Sequence, residues 1–486
     1  MTEAEFAHIA LVNALRRGAS RYLHSGAALG HTSLAEGLRR FGAERSDIAK
    51  ALEAQGLPVP PDEAIARLDA DDSRRRAQAG AQAVYSLIEE VEQTLGETLQ
   101  DLLADSFAPD LLARIRASLA AMAEWLRTEI LTLRAASEDD GTDLGFVIRR
   151  KAADPTGGAP RPARLCEVWF GTNRRPVALA SGKVGFGQER DEKVYHGVCE
   201  VSIPAAHRVG SVGSSWWVRL ARGDDRLRLA ATALLDEEVW WEQIRTRIAS
   251  DLRAHDAIVF LHGYRVRFDD AAIRAAQIGA DLAIPGVMAF FSWPSRGRLL
   301  GYPADEATIE ASEVQITRFL INFAERSGAS RVHIIAHSMG NRALLRAVDR
   351  IAANASARTS KPFGQIILAA PDVDSQTFRQ FADSYAAVAE RTTLYVSSAD
   401  LAVRGSRLLH EAPRIGFAPP LAIVPGLDTI DVSHIDLTLL GHGYVAESRP
   451  VLTDIHHLIT RGDAPAARPM LRPLEHAKGV YWQFAA

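Results

Sequence analysis

The chain has 486 residues, 47% of them hydrophobic and 24% charged, with a formal net charge of −4. That is too long for one hydrophobic core, so two or three domains are expected. The near-neutral balance carries no basic stripe, which excludes a nucleic-acid footprint. Two cysteines, Cys166 and Cys199, make no disulfide framework and are expected as reduced thiols, and no His or Cys cluster has metal-ligand spacing.

The N-terminus opens with Glu3 and Glu5, and Arg16 with Arg17 cuts its apolar stretch short, unlike a secretory signal. No apolar run approaches the roughly 18 residues of a membrane span. The expectation is a soluble, cytoplasmic protein. Residues 1–137 read as all-helical. Shorter helices fall at 4–24 and 33–54, before the Gly56-Leu57-Pro58 break. Val84, Leu87, Ile88, Val91, Leu95, Leu99, Leu102 and Leu103 recur at helical spacing, and so do Leu112, Ile115, Leu119, Met122, Leu126 and Ile130, after Pro109 in a first turn. No chemistry stands out there, and binding of a protein partner or self-association is the role expected of these helices.

Residues 138–162, rich in acidic residues, Gly and Pro, read as a linker. A β-rich leading segment, 163–235, carries the runs LCEVWF, VYHGVCEVSI, SWWVRL and LRLAATALL, and a helix is expected from Glu237 to Leu252. Residues 255–460 then alternate short apolar runs (DAIVFLHG, VMAFFSWP, VHIIAHSMG, QIILAAPD, TLYVSSAD) with helical stretches such as the one over 307–328. Continuous apolar strands between helices mean a mostly parallel sheet covered on both faces, the α/β class, here spanning 163–465. Residues 466–486 are left as a C-terminal tail.

The strongest chemical signal is the strand 332–336 running through His337 into Ser338, with Met339, Gly340 and a helix beyond. Strand, tight turn and helix form the setting of a nucleophile elbow, where residues two before and two after the serine must be small; Ala336 and Gly340 meet that demand. The Met339 amide, near a helix start, then faces developing negative charge. Phe260-Leu261-His262-Gly263-Tyr264 closes an earlier strand, and its glycine lets the backbone come close, so Tyr264 is the candidate second oxyanion donor. A serine needs a base and an orienting acid, in the chain order Ser, Asp, His. Asp400, after the strand 393–398, is the candidate acid and Asp372 the alternative, which can equally cap a helix. His442, between Gly441 and Gly443, is the candidate base and His434 the alternative; His456 and His457 fall in a helix. His262, Trp293 and Tyr302 are candidate pocket residues. No dinucleotide or phosphate-loop motif occurs, so no cofactor is expected.

The stretch from about 165 to 460 resembles a bacterial α/β-hydrolase family of undefined function whose members look like serine esterases or lipases. The pieces that carry the likeness are WFGTNR (169–174), GVCEVSIP (197–204), FLHGY (260–264), FFSWPS (290–295), AHSMGNR (336–342), APDVD (370–374), SSAD (397–400) and GHGY (441–444). The resemblance implies Ser338 as nucleophile, His442 as base and Asp400 as acid, acting on a small or lipid-like ester. Arg265 stands where the family usually has Asn. The front third lies outside the likeness. The competing expectation is a non-catalytic hydrolase-fold scaffold that works through its N-terminal helices.

Overall fold

The computed structural model describes residues 3–30, 32–54 and 63–79, scattered positions within 84–95 and 110–129, and then 163–178, 184–205, 207–212, 226–250, 255–297, 302–354, 361–397, 412–418, 420–433 and 448–485. The chain divides into two compact units, one of residues 1–159 with 215–223 and one of residues 160–214 with 224–486. The expected linker at 138–162 lies outside the described residues.

The first unit is helical. Helices α1 (Glu3–Ala28), α2 (Ser33–Glu53) and α3 (Glu63–Gln78) pack with helical residues from 84 onward. Thr32 caps α2 by accepting from the Ala35 amide. The stripe Val84, Leu87, Ile88, Val91 and Leu95 is buried, as its spacing predicts, against Tyr22, Leu38, Phe41 and Ile48. Helix α3 shows no apolar stripe because charge docks it: Arg17 reaches Asp69 and Arg21 reaches Asp72, both at 2.8 Å.

The second unit is built on an eleven-stranded sheet. Its strands are β1 (Arg164–Ala178), β2 (Val184–Ile203), β3 (Arg228–Leu235), β4 (Asp256–Leu261), β5 (Gly286–Ser292), β6 (Arg331–His337), β7 (Phe363–Ala369), β8 (Ala389–Val396), β9 (Asp428–Asp431), β10 (Leu471–His476) and β11 (Gly479–Phe484). The spatial order is β10-β11-β9-β8-β7-β6-β4-β5-β1-β2-β3, parallel from β1 across to β11 and antiparallel at β1/β2, β2/β3 and β10/β11. The central strands are mostly apolar because both faces are covered, and successive side chains divide between two cores. On β4, Ala257, Val259 and Leu261 enter one core while Ile258 and Phe260 enter the other. Each such Val, Leu, Ile or Phe is worth roughly 1.5–3 kcal/mol on burial.

Helices α4 (Glu237–Ala249), α6 (Tyr302–Ala311), α7 (Glu313–Arg326), α8 (Gly340–Ala353), α9 (Ser375–Phe381) and α10 (Asp383–Val388) line the first core, through residues such as Trp240, Ile309, Phe319, Leu344, Phe378 and Tyr385. Helices α5 (Phe268–Leu282) and α11 (Arg449–Arg461) line the second, with an alanine-rich face on α5 and Val451, Ile455 and Leu458 on α11. The single helical stretch expected over 307–328 is two helices, broken at Ser312, whose hydroxyl bonds back to Thr308 O at 2.8 Å and accepts from Asn173 at 2.9 Å.

Residues 466–486, expected as a tail, instead extend the sheet. Strands β10 and β11 form a hairpin, β11 pairs in parallel with β9, and Phe484 is 3% exposed in the second core. Arg468 is held in the interior by Asp454 at 3.0 Å.

Candidate functional site

Strand β4 is the pivot of the sheet: its successor β5 lies on one side and β6 on the other. Open α/β sheets hold their sites at the carboxyl ends of strands where the winding reverses in this way. The register sets Leu261 opposite Ala336, so the loop after β4 and the turn after β6 emerge side by side.

That turn contains Ser338. Its φ of 52° is left-handed, a conformation that costs a non-glycine residue about 1–2 kcal/mol. The neighbours hold it there. Ser338 N donates to Ala369 O at 2.9 Å, and Ser338 O accepts from the amides of Asn341 at 3.1 Å and Asp372 at 3.2 Å. The Asn341 side chain adds bonds to Ala336 O at 3.1 Å and Ser338 O at 3.0 Å. Two glycines let the segments close up. A Cβ on Gly340 would stand 2.6 Å from His262 O, and one on Gly263 would stand 2.8 Å from Ser338 Cβ. Ala336 fits its place, fully buried in the first core.

The loop after β4 is anchored from below. His262 is 1% exposed, its ring stacked on Trp293 with centroids 5.1 Å apart, while Trp293 Nε1 donates to His262 O at 2.9 Å. The ring nitrogens meet Gly263 O at 2.7 Å and Ser292 Oγ at 3.2 Å. Burial and the Arg174 charge pull the His262 pKa down to about 3, so the ring is neutral at physiological pH. Arg174 itself is buried. It donates to Ser292 Oγ at 2.9 Å and to the carbonyls of Gly187, Ser295 and Val266 at 3.2, 3.1 and 2.8 Å. Desolvation brings its pKa down to about 9, against the pull of Asp305, Asp270 and Asp269. Asp305 accepts from the amides of Arg265 at 3.2 Å and Arg296 at 2.7 Å and from the Ser295 hydroxyl. Burial raises its pKa in spite of those donors.

Beyond the elbow, Arg342 on the first turn of α8 donates to Asp372 O and Tyr302 Oη, both at 2.8 Å, and pairs with Glu306. Tyr302 donates its hydroxyl to Asp372, and its ring meets the Tyr264 ring edge-on at 5.2 Å. Arg414 closes on the same carboxylate at 3.5 Å. Burial alone would lower the Arg342 pKa, but Asp372, Tyr302 and Glu306 outweigh it and raise the value.

A scan against protein families finds that residues 240–461 match one described as an alpha/beta hydrolase of unknown function, DUF900. That part of the chain is an α/β-hydrolase domain. Similar solved structures include MenH from S. aureus, 10% identical, covering 43% of this chain and 94% of that one at a TM-score of 0.23. Another is wild-type AbyA5, 13% identical, covering 81% and 83% at a TM-score of 0.27. No curated protein matches significantly.

Within the hydrolase domain, Gly263 packs against Ser338, with Tyr264 and Met339 their neighbours in the chain. The acid and base candidates Asp400, His442 and His434 lie outside the described residues. Asp372 is described, and its carboxylate is engaged by one tyrosine hydroxyl and two guanidinium groups. Of the three expected pocket residues, His262 is 1% and Trp293 0% exposed, the two rings stacked on each other, and Tyr302, 8% exposed, donates its hydroxyl to Asp372. His456 and His457 sit on α11, with His456 Nδ1 at 2.7 Å from Leu282 O, a packing contact. The residues missed from the sequence are Arg174, Ser292 and Arg342. Only their membership in WFGTNR, FFSWPS and AHSMGNR marked them, and a buried arginine among carbonyls leaves no periodic trace.

Proposed function

We propose that this chain is a serine hydrolase that cleaves a carboxylic ester through an acyl-enzyme on Ser338. The observation that carries the reading is the left-handed Ser338 between β6 and α8 with Gly263 packed against its Cβ. Such a turn presents a hydroxyl above the sheet, and close approach of a glycine loop brings backbone N–H groups to the same point. In this reading His442 takes the serine proton and later returns it to the leaving alcohol, and Asp400 holds the imidazole in the required tautomer. The amides of Met339 and Tyr264 stabilise the oxyanion, each worth roughly 3–4 kcal/mol of barrier. Asp400 is preferred to Asp372 as acid because the Asp372 carboxylate already answers Tyr302, Arg342 and Arg414.

The test is covalent labelling with a fluorophosphonate, alongside hydrolysis of p-nitrophenyl esters of graded chain length. The native protein is expected to label and turn over, and Ser338→Ala to do neither while keeping its fold. Absence of labelling in the native protein, or equal labelling of the alanine variant, would remove the reading in favour of a scaffold.

A further inference from the structure

The orientation of one peptide plane connects the buried arginine to the proposed chemistry. A carbonyl oxygen only accepts, so His262 Nδ1, 2.7 Å from Gly263 O, carries the proton and donates it. In the neutral ring Nε2 is then an acceptor, and the Ser292 hydroxyl, 3.2 Å away, donates to it. Ser292 Oγ in turn accepts from Arg174 Nε at 2.9 Å. Arg174 has no acceptor capacity, so the direction of the whole chain is fixed: Arg174 to Ser292 to His262 to Gly263 O. A trans peptide places its C=O and N–H on opposite sides. With Gly263 O drawn down to the imidazole, the N–H of Tyr264 in the same peptide points up, away from the core. The next amide, of Arg265, is held separately by Asp305.

We propose that Arg174, Ser292 and His262 form a relay that locks the Gly263–Tyr264 peptide with the Tyr264 N–H turned toward Ser338, making His262 a positioning residue for the oxyanion hole; this rests on the serine-hydrolase reading above. Without the relay, the peptide plane can turn about the Gly263 ψ and Tyr264 φ bonds and present its carbonyl to the nucleophile, which repels an oxyanion. The relay therefore acts on the transition state and leaves ground-state binding alone. Burial of every member supports the role: His262 is 1% exposed, Arg174 1% and Ser292 0%, so none of them meets substrate.

The test uses the full chain with p-nitrophenyl butyrate and a fluorophosphonate. His262→Leu is expected to lower kcat about 100-fold with KM unchanged within about twofold, as for loss of one oxyanion donor. His262→Asn, whose Nδ2 donates from the place of Nδ1, is expected to restore about tenfold of that loss, and Ser292→Ala to lower kcat about tenfold. Labelling rates should fall in parallel. Ser292→Ala decides the matter if the leucine variant does not fold. If the native protein labels and Ser292→Ala labels at the native rate, or if asparagine is no better than leucine at position 262, the relay is wrong and the hydrolase reading stands. If the native protein does not label at all, both fall.

Discussion

Gly263→Ala is the sharpest test of how the loop and the elbow fit together. An added Cβ would lie 2.8 Å from Ser338 Cβ, 3.0 Å from His337 Nδ1 and 3.2 Å from His337 O. Carbon atoms pack best at about 3.5–4.0 Å, so a gap of roughly 0.7–1.2 Å has to open. Neither side yields easily: Gly263 O is bonded to His262, and Ser338 is tied through its amide to Ala369 and through its carbonyl to Asn341 and Asp372. Overpacking of this kind costs about 1–3 kcal/mol of stability. A displacement near 1 Å of the Tyr264 amide relative to Ser338 costs on the order of 100-fold in rate. Steady-state kinetics on a p-nitrophenyl ester with a thermal melt reads both. A variant with native kcat and native Tm would refute the close packing of the two loops and the oxyanion role of Tyr264 together.

His262, with its pKa depressed to about 3, binds no proton in the folded chain between that value and its unfolded value near 6.5, whereas the unfolded chain does. Stability from this group is therefore present above pH 6.5 and lost as pH falls, at up to about 1.4 kcal/mol per pH unit. Urea titrations at pH 7 and pH 5 should show the native protein losing about 2 kcal/mol more than His262→Asn; parallel losses would show that the ring is charged when folded. Asp372→Asn removes a buried partner of Arg342 and Arg414 and should cost about 3–5 kcal/mol of stability. Asp400→Asn should instead keep the melt and drop kcat by about 10⁴. Reversal of these two outcomes would move the acid to Asp372.

Much of the hydrolase domain was legible because its central strands are buried on both faces. Runs such as Ala257–Leu261 and Ile366–Ala369 are continuous, buried apolar stretches, and the small residues around Ser338 are a steric demand of the turn itself. The edges were not legible for the opposite reason. Strand β10 lies at the sheet edge, is mostly exposed with no apolar alternation, and contains Pro473, which an edge strand tolerates but a central one does not. Helix α3 docks through Arg–Asp pairs and shows no apolar stripe. The Arg174 relay joins positions 174, 292 and 262, which only the sheet brings together, so sequence spacing holds no record of it.

The central claim is that Ser338 carries the acyl group. Rapid mixing with a p-nitrophenyl ester should release a burst of p-nitrophenol equal to the enzyme concentration, and mass spectrometry of the quenched protein should find the acyl mass on the peptide containing Ser338. An acyl group on any other residue, or turnover that persists in Ser338→Ala, would contradict the account.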